Sequence, residues 1–195
     1  MSFSPPDIAA LLDANGLFEK TIMLERGDFL KKAGSTDTNI YYIEEGTVYA
    51  FIVDGEEERI VRFGYKGNII VSLDSFLTEN PSEFYIQAIK KCRVKIVTKK
   101  SFTRFIEQNE KGAALWTKML ENLVIQQIER EKDLLMQSPR ERYERVLKRS
   151  PQLFQEVANK YIAAYLRMSP ETLSRLKKRL HLSIFSSLVA SIFAA

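Results

Sequence analysis

The spacing of apolar and polar positions changes along the chain and divides it into a strand-rich part followed by a helical part. Residues 7–18 carry apolar side chains at helical spacing, which predicts a short amphipathic helix. Residues 21–98 alternate short β-branched and aromatic runs with breaks that contain glycine. The predicted strands cover residues 21–24, 29–30, 40–43, 47–53, 59–63, 69–71, 84–88 and 94–97. Many short strands at close spacing predict a small barrel or roll.

A long helix is predicted over residues 111–136, after a shorter one that we expect Ser101 to cap. One stripe of this long helix recurs in steps of three or four residues and comprises Trp116, Leu120, Leu123, Gln127, Arg130 and Leu134. Because this spacing is close to that of a coiled coil, we expect the stripe to form a dimer interface with a second copy of the chain. Packing of the helix on its own domain is the alternative.

Three shorter helices are predicted over residues 140–148, 153–166 and 170–180. Proline precedes or begins them at positions 139, 151 and 170, where the first turn of a helix tolerates the missing N–H. The apolar tail, residues 183–195, has one helical face of large apolar side chains. We expect it to pack on the helical domain. Membrane association is the alternative, although the opposite face has no Lys or Arg for anionic lipid.

The stretch of residues 161–180 meets the physical requirements of a helix-turn-helix. Its shared core is predicted to contain Ile162, Leu166, Leu173 and Leu176, with the small Ala163 allowing close approach. Ser169 is expected to cap the second helix. The residues predicted to contact DNA are Ser169, Glu171, Thr172, Ser174, Arg175, Lys178 and Arg179. The alternative is that Glu171 only stabilises the positive end of the helix and that Arg175 only pairs with Glu171 at i,i+4 spacing.

The charge is distributed in a way that favours a polyanionic partner for the helical end. The net charge is +4, yet residues 138–195 hold 11 basic and 4 acidic side chains, whereas residues 1–110 hold 14 basic and 17 acidic. One cysteine, Cys92, and one histidine, His181, leave no disulfide, iron–sulfur or zinc set, so we expect no metal site. Cys92 is expected to be a small core residue. We see no catalytic constellation and expect no enzyme.

A targeting or membrane segment is also not expected. The residues 1–13 are too polar for a signal peptide, and no apolar run approaches about 20 residues. We therefore expect a cytoplasmic protein.

This order of elements resembles the CRP/FNR family of bacterial regulators over nearly the whole chain. The similar segments are residues 26–30, 41–48 and 66–68 in the roll and 169–175 in the second helix of the helix-turn-helix. The resemblance implies an α+β protein with an N-terminal β-roll of the double-stranded β-helix or jelly-roll type. It also implies a long dimerisation helix and a winged-helix-like helix-turn-helix domain. The corresponding domains are residues 1–110, 111–137 and 138–195.

The resemblance further implies a homodimer on a near-palindromic double-stranded DNA site, with RNA polymerase as a partner. The segment between Pro151 and Val157 is too short for the family's usual first hairpin, so we expect a reduced wing. Arg167 stands where such motifs usually place glycine in the turn, and it must then take a positive φ at some strain. Pro170 replaces an arginine that some members aim at guanine, so the preferred DNA sequence should differ.

The sequence departs from the family where a cyclic nucleotide would bind. The family's Gly-Glu pair and its Arg-Ser/Thr pair correspond here to Val71-Ser72 and Ser82-Glu83. Because the phosphate-binding arginine is missing, tight binding of cyclic AMP is not expected and no cofactor is predicted. The candidate pocket for another small ligand is lined by Val71, Ser72, Leu73, Ser82, Glu83, Leu123 and Gln127. The sequence therefore predicts a transcription regulator, with a ligand-binding module that acts through protein contacts as the alternative.

Overall fold

The computed structural model describes residues 5–179, and the chain divides into two compact units, Met1–Glu129 and Arg130–Ala195. The first unit begins with α1 (Pro5–Ala14), β1 (Lys20–Leu24), β2 (Phe29–Lys31), β3 (Ile40–Glu45), β4 (Thr47–Asp54), β5 (Glu57–Tyr65) and β6 (Ile69–Val71). It continues with α2 (Leu73–Thr78), β7 (Tyr85–Ala88), β8 (Cys92–Val97), α3 (Lys99–Gln108) and most of α4 (Glu110–Leu135). The second unit holds the end of α4, α5 (Pro139–Arg149), α6 (Pro151–Glu156), α7 (Asn159–Tyr165) and the helical residues 170–179, called α8.

Two antiparallel four-stranded sheets form the roll in the first unit, with strand orders β1-β8-β3-β6 and β2-β7-β4-β5. Alternate residues of β4 point to opposite faces of its sheet, and Val48 joins Ile43 and Val94 of the other sheet in one core. Cys92 lies in this core, as expected for a small apolar residue, and burial raises the pKa of its thiol. The predicted α+β fold class with an N-terminal β-roll is confirmed.

A second apolar cluster joins the helices of the first unit to the sheet that contains β3 and β8. Its buried members are Leu12, Leu17, Ile40, Phe76, Val97, Phe102, Phe105, Leu115 and Met119. These side chains come from α1, α2, α3 and the first half of α4, from strands β3 and β8, and, for Leu17, from the loop after α1. The sheet therefore contributes Ile43 and Val94 to the core of the roll, and Ile40 and Val97 to the cluster that contains the helices.

Two predicted helix boundaries in the first unit are wrong. The first helix ends at Ala14 instead of residue 18, because Gly16 takes a φ of 63° and turns the chain so that Leu17 is buried. Thr98, not Ser101, caps α3, since Thr98 Oγ1 accepts a hydrogen bond from Ser101 N at 3.3 Å. The long helix α4 begins and ends within a residue of its predicted bounds.

The predicted single helix over residues 153–166 is also wrong, because the chain breaks into α6 and α7. Val157 and Ala158 are extended, with ψ of 135° and 146°. Val157 is buried, as are Leu153 of α6 and Ile162 of α7, so the break still leaves the Val157 side chain in the interior.

Residues 130–179 contain no strand, and the segment expected to be too short for the usual first hairpin forms α6. The reduced wing concerns the whole helical domain and stays a prediction. The prediction for the tail, residues 183–195, falls outside the described residues. Within residues 5–179, every helix is too short or too polar to cross a membrane.

Candidate functional site

The helix-turn-helix consists of α7 and α8, which bury small and branched apolar residues. Ile162, Ala163 and Leu166 are at most 1% exposed, and so is Leu173 of α8. Of the predicted shared core, Ile162, Leu166 and Leu173 are buried, whereas Leu176 is only half-buried. This core fixes which side of α8 faces inward and leaves its polar side to solvent.

The turn between the two helices closes around Arg167, whose φ is 49°. The N–H of Arg167 donates to the Ala164 carbonyl at 3.1 Å, and the N–H of Met168 donates to the Ala163 carbonyl at 3.0 Å. This pair of bonds is the Schellman arrangement, which requires a left-handed residue at the position of Arg167. The predicted positive φ at this non-glycine residue is confirmed.

Ser169 caps α8, as predicted, because Ser169 Oγ accepts a hydrogen bond from Thr172 N at 3.2 Å. The pKa of Glu171 is lowered by its own backbone N–H and by the Ser169 hydroxyl. Glu171 is therefore ionised at neutral pH and remains exposed at the positive end of the helix dipole.

The residues predicted to contact DNA lie together on the outer side of α8 and at its cap. Ser169, Glu171, Ser174, Arg175, Lys178 and Arg179 are exposed, and Thr172 is half-buried. Arg175 Nη2 donates to Thr172 Oγ1 at a long 3.4 Å, which holds the guanidinium only weakly. Lys177, in contrast, donates to Asn159 Oδ1 and lies 5.7 Å from the Phe154 ring centroid, so it serves the packing of the unit.

The long helix α4 exposes apolar residues one or two positions away from the predicted dimer stripe. Trp116 packs against Phe76 and Phe102, with centroid distances of 5.5 and 5.4 Å, and thus belongs to the core of its own unit. Leu120, Leu123 and Leu134 are half-buried, Gln127 is exposed and Arg130 is buried. The apolar side chains exposed in the first unit's part of α4, here called the α4 ridge, are Val124, Ile125 and Ile128, at 58%, 58% and 46% exposure.

Two of the residues predicted to line the candidate ligand pocket in the roll bond each other. Ser72 and Ser82 are buried, and their hydroxyl oxygens are 3.1 Å apart. Ser72 Oγ also donates to Asp74 Oδ1 at 2.9 Å. Of the remaining predicted lining residues, Val71, Leu73 and Leu123 are half-buried and Glu83 and Gln127 are exposed. The two serines that stand at the positions of the family's glutamate and arginine therefore use their hydroxyls for hydrogen bonds within the protein.

Lys31 is a site residue that sequence reasoning missed. It is 4% exposed, and its Nζ donates to the carbonyls of Phe84, Lys32 and Ser82 at 3.0, 3.2 and 3.4 Å. Burial lowers its pKa, while attraction to Asp74 and Asp37 partly opposes this. A β-bulge between Phe29 and Lys31 turns the lysine toward Ile86. Nothing in a single sequence marks such a bulge.

Within residues 5–179, no group of three or more His, Cys, Asp or Glu side chains could hold a metal ion. The prediction of no metal site concerns the whole chain and stays a prediction.

Comparisons with known proteins agree with this fold. The family described as "Cyclic nucleotide-binding domain" matches residues 21–109. No curated protein matches the sequence. A CooA mutant from Carboxydothermus hydrogenoformans is 13% identical with a TM-score of 0.74, over 94% of this chain and 86% of that one. FixK2 from Bradyrhizobium japonicum is 18% identical with a TM-score of 0.67, over 84% and 85%. Catabolite activator protein from Thermus thermophilus is 19% identical with a TM-score of 0.54, over 93% and 85%.

Residues 21–109 thus match the model of the cyclic nucleotide-binding domain family, and nearly the whole chain has the fold of the CRP/FNR transcription regulators. The resemblance stated from the sequence is confirmed at the level of fold.

Proposed function

We propose that this protein is a sequence-specific DNA-binding transcription regulator that acts as a homodimer on a near-palindromic site. The observation that carries the proposal is the exposed polar and basic side of α8. This side belongs to a helix-turn-helix with a closed apolar core, in the part of the chain where basic residues outnumber acidic ones by 11 to 4. A helix with these properties fits the major groove of DNA.

The side chains of α8 divide into two roles by their position. Glu171, Ser174 and Arg175 lie in its first turns, from which side chains reach base edges in this motif. Lys178 and Arg179 follow at its carboxyl end, where they are placed to bind phosphates.

A mobility-shift assay across genomic fragments tests the proposal, followed by two variants on the selected site. Arg175→Ala should cost about 1–3 kcal/mol on the selected site and relax specificity at one base position. Lys178→Ala should weaken binding to all sequences alike and lower the dependence of log K on log salt by about one. An intact protein that retards no fragment even at low salt would contradict the proposal.

The homodimer is supported by the α4 ridge, because three large apolar side chains on one helix are left in solvent. The second copy would cover the ridge with its own, as an isologous interface requires. The predicted stripe shares its helix but not its residues with this ridge. The complex with DNA should accordingly contain two chains for each site.

The roll is proposed not to bind cyclic AMP tightly. Support comes from Ser72 and Ser82, which bond each other, and from Lys31, whose ammonium is already surrounded by three carbonyls. Titration calorimetry with cyclic AMP should show no low-micromolar binding, and heat that fits such binding would overturn this proposal. Control by another small ligand, contact with RNA polymerase and a cytoplasmic location stay predictions from the sequence.

A further inference from the structure

The turn of the helix-turn-helix is held by two buried arginines that lie outside the motif. Arg130 near the end of α4 and Arg142 of α5 are 8% and 7% exposed. Arg130 Nη2 donates to the Tyr165 carbonyl at 2.7 Å, and its guanidinium carbon lies 3.6 Å from the Tyr165 ring centroid. Arg142 donates to the Arg167 carbonyl at 3.3 Å and to the Met136 carbonyl at 2.8 Å. All of these groups belong to the second unit.

The two arginines complement the hydrogen bonds that the turn makes for itself. The last carbonyls of a helix have no partner within the helix. In α7, Ile162, Ala163 and Ala164 use theirs to accept from the N–H groups of residues 166–168. The carbonyls of Tyr165 and Arg167, which follow, accept from Arg130 and Arg142 instead. Positive charge at a helix carboxyl end is also favoured by the helix dipole.

A non-glycine residue with positive φ needs such support. Arg167 has a Cβ atom, which makes the left-handed conformation less favourable than it is for glycine. The Arg142 guanidinium fixes the carbonyl of this same residue and anchors it to the chain between α4 and α5. A guanidinium can span two carbonyls with its planar fork, which a lysine ammonium does less well.

We propose that Arg142, together with Arg130, is a positioning residue for DNA recognition, which holds the strained turn and thereby the orientation of α8. This proposal rests on the proposed DNA-binding function. Arg142 itself does not contact DNA. Its loss therefore acts through the turn, and replacing Arg167 by glycine removes the strain that makes the support necessary.

The test compares Arg142→Met with Arg140→Met, in the natural chain and in an Arg167→Gly background. Arg140 lies on the same helix, is exposed and pairs with Glu144 at the surface, so its variant removes an equal charge. Arg142→Met should raise the Kd for the selected DNA site about tenfold, the loss expected for one charged hydrogen bond, and Arg140→Met less than about threefold. In the Arg167→Gly background, the effect of Arg142→Met should fall below about threefold because the turn is relaxed. Equal effects of the two α5 variants, or an undiminished effect in the glycine background, would overturn the proposal.

Hydrogen exchange of the free protein provides a second measurement that needs no DNA. In Arg142→Met, the amides of residues 166–168 should exchange faster relative to those of residues 153–157, whereas uniform acceleration would indicate loss of stability alone and overturn the proposal. If Arg142→Met does not fold, Arg142→Lys serves instead, and its turn amides should again be the ones that accelerate. A natural chain that binds no DNA refutes the proposed function, and the exchange data still decide whether Arg142 holds the turn.

Discussion

The roll of the first unit and the second unit, here called the reader (residues 130–179 as described), use their polar residues in opposite ways. In the roll, Ser72, Ser82 and Lys31 point inward and hydrogen-bond one another or backbone carbonyls. In the reader, Glu171 and Arg175 point outward from a closed apolar core. The first unit thus bonds these polar side chains within itself, whereas the residues proposed to contact DNA are exposed. A site predicted from residue type alone does not distinguish these two cases.

The two units also differ in the charges that they bury. The roll buries one lysine that is surrounded by carbonyl oxygens. The reader buries Asp133, which is 0% exposed and accepts from Arg145 Nε at 3.0 Å and from Arg149 Nη2. Asp133 thereby links the end of α4 to α5 through two ion pairs. A small domain buries a smaller fraction of its surface, so the loss of a buried ion pair should remove a larger share of the stability of the reader.

Removal of the Asp133 carboxylate should have the largest effect on stability. Asp133→Ala leaves Arg145 and Arg149 without their shared partner, at 33% and 29% side-chain exposure, and should lower the free energy of unfolding by about 3–5 kcal/mol. The lower half of this range is expected because both arginines retain access to water. Urea denaturation followed by circular dichroism measures the change.

Glu144→Ala is the matched control for this variant. Glu144 also pairs with an arginine of α5, Arg140, but both side chains are exposed, at 41% and 67%. An exposed pair at i,i+4 spacing contributes less than about 1 kcal/mol. Equal losses of unfolding free energy from the two substitutions would show that burial of Asp133 does not strengthen its ion pairs. The two units would then no longer differ in how much their buried charges contribute to stability.

The sequence predicted most of the fold because its signals are local. Strand positions were correct where turn glycines bound them, as at Gly46 and Gly67, which have φ of 92° and 88°. The core of the helix-turn-helix followed from the spacing of Ile162, Leu166 and Leu173, because a helix repeats every 3.6 residues. These features depend on residues that are near one another in the chain.

Features that depend on distant residues could not be predicted. The spacing of 153–166 fits one helix, and only packing decides that Val157 enters the core from an extended segment. Trp116 fits a coiled-coil stripe equally well, but Phe76 and Phe102 of its own unit cover it. Lys31 faces inward because of a bulge whose partner strand lies over 50 residues away. For Trp116 and Lys31 the deciding partner is far along the chain.

A smaller effect on the free energy of unfolding is expected from Lys31, the buried lysine of the roll, and it should appear as a dependence on pH. Burial lowers the pKa of Lys31 below its ordinary 10.5, so between the lowered pKa and 10.5 the unfolded chain binds more protons than the folded one. The free energy of unfolding must therefore rise with pH across this window, by at most about 1.4 kcal/mol per pH unit for one proton. Lys31→Met removes this rise.

The measurement is the free energy of unfolding of the natural chain minus that of Lys31→Met, from pH 7 to pH 10.5. This difference should increase toward alkaline pH, because only the natural chain loses the cost of a buried charge there. Lys32→Met is the control, since Lys32 is the neighbouring lysine but is exposed and lies 5.3 Å from the Phe29 ring centroid. A difference that stays flat for Lys31→Met, as it should for Lys32→Met, would mean that the three carbonyls and the nearby Asp74 and Asp37 offset the cost of burying the Lys31 ammonium. The roll would then hold its inward-pointing cation at no cost in stability.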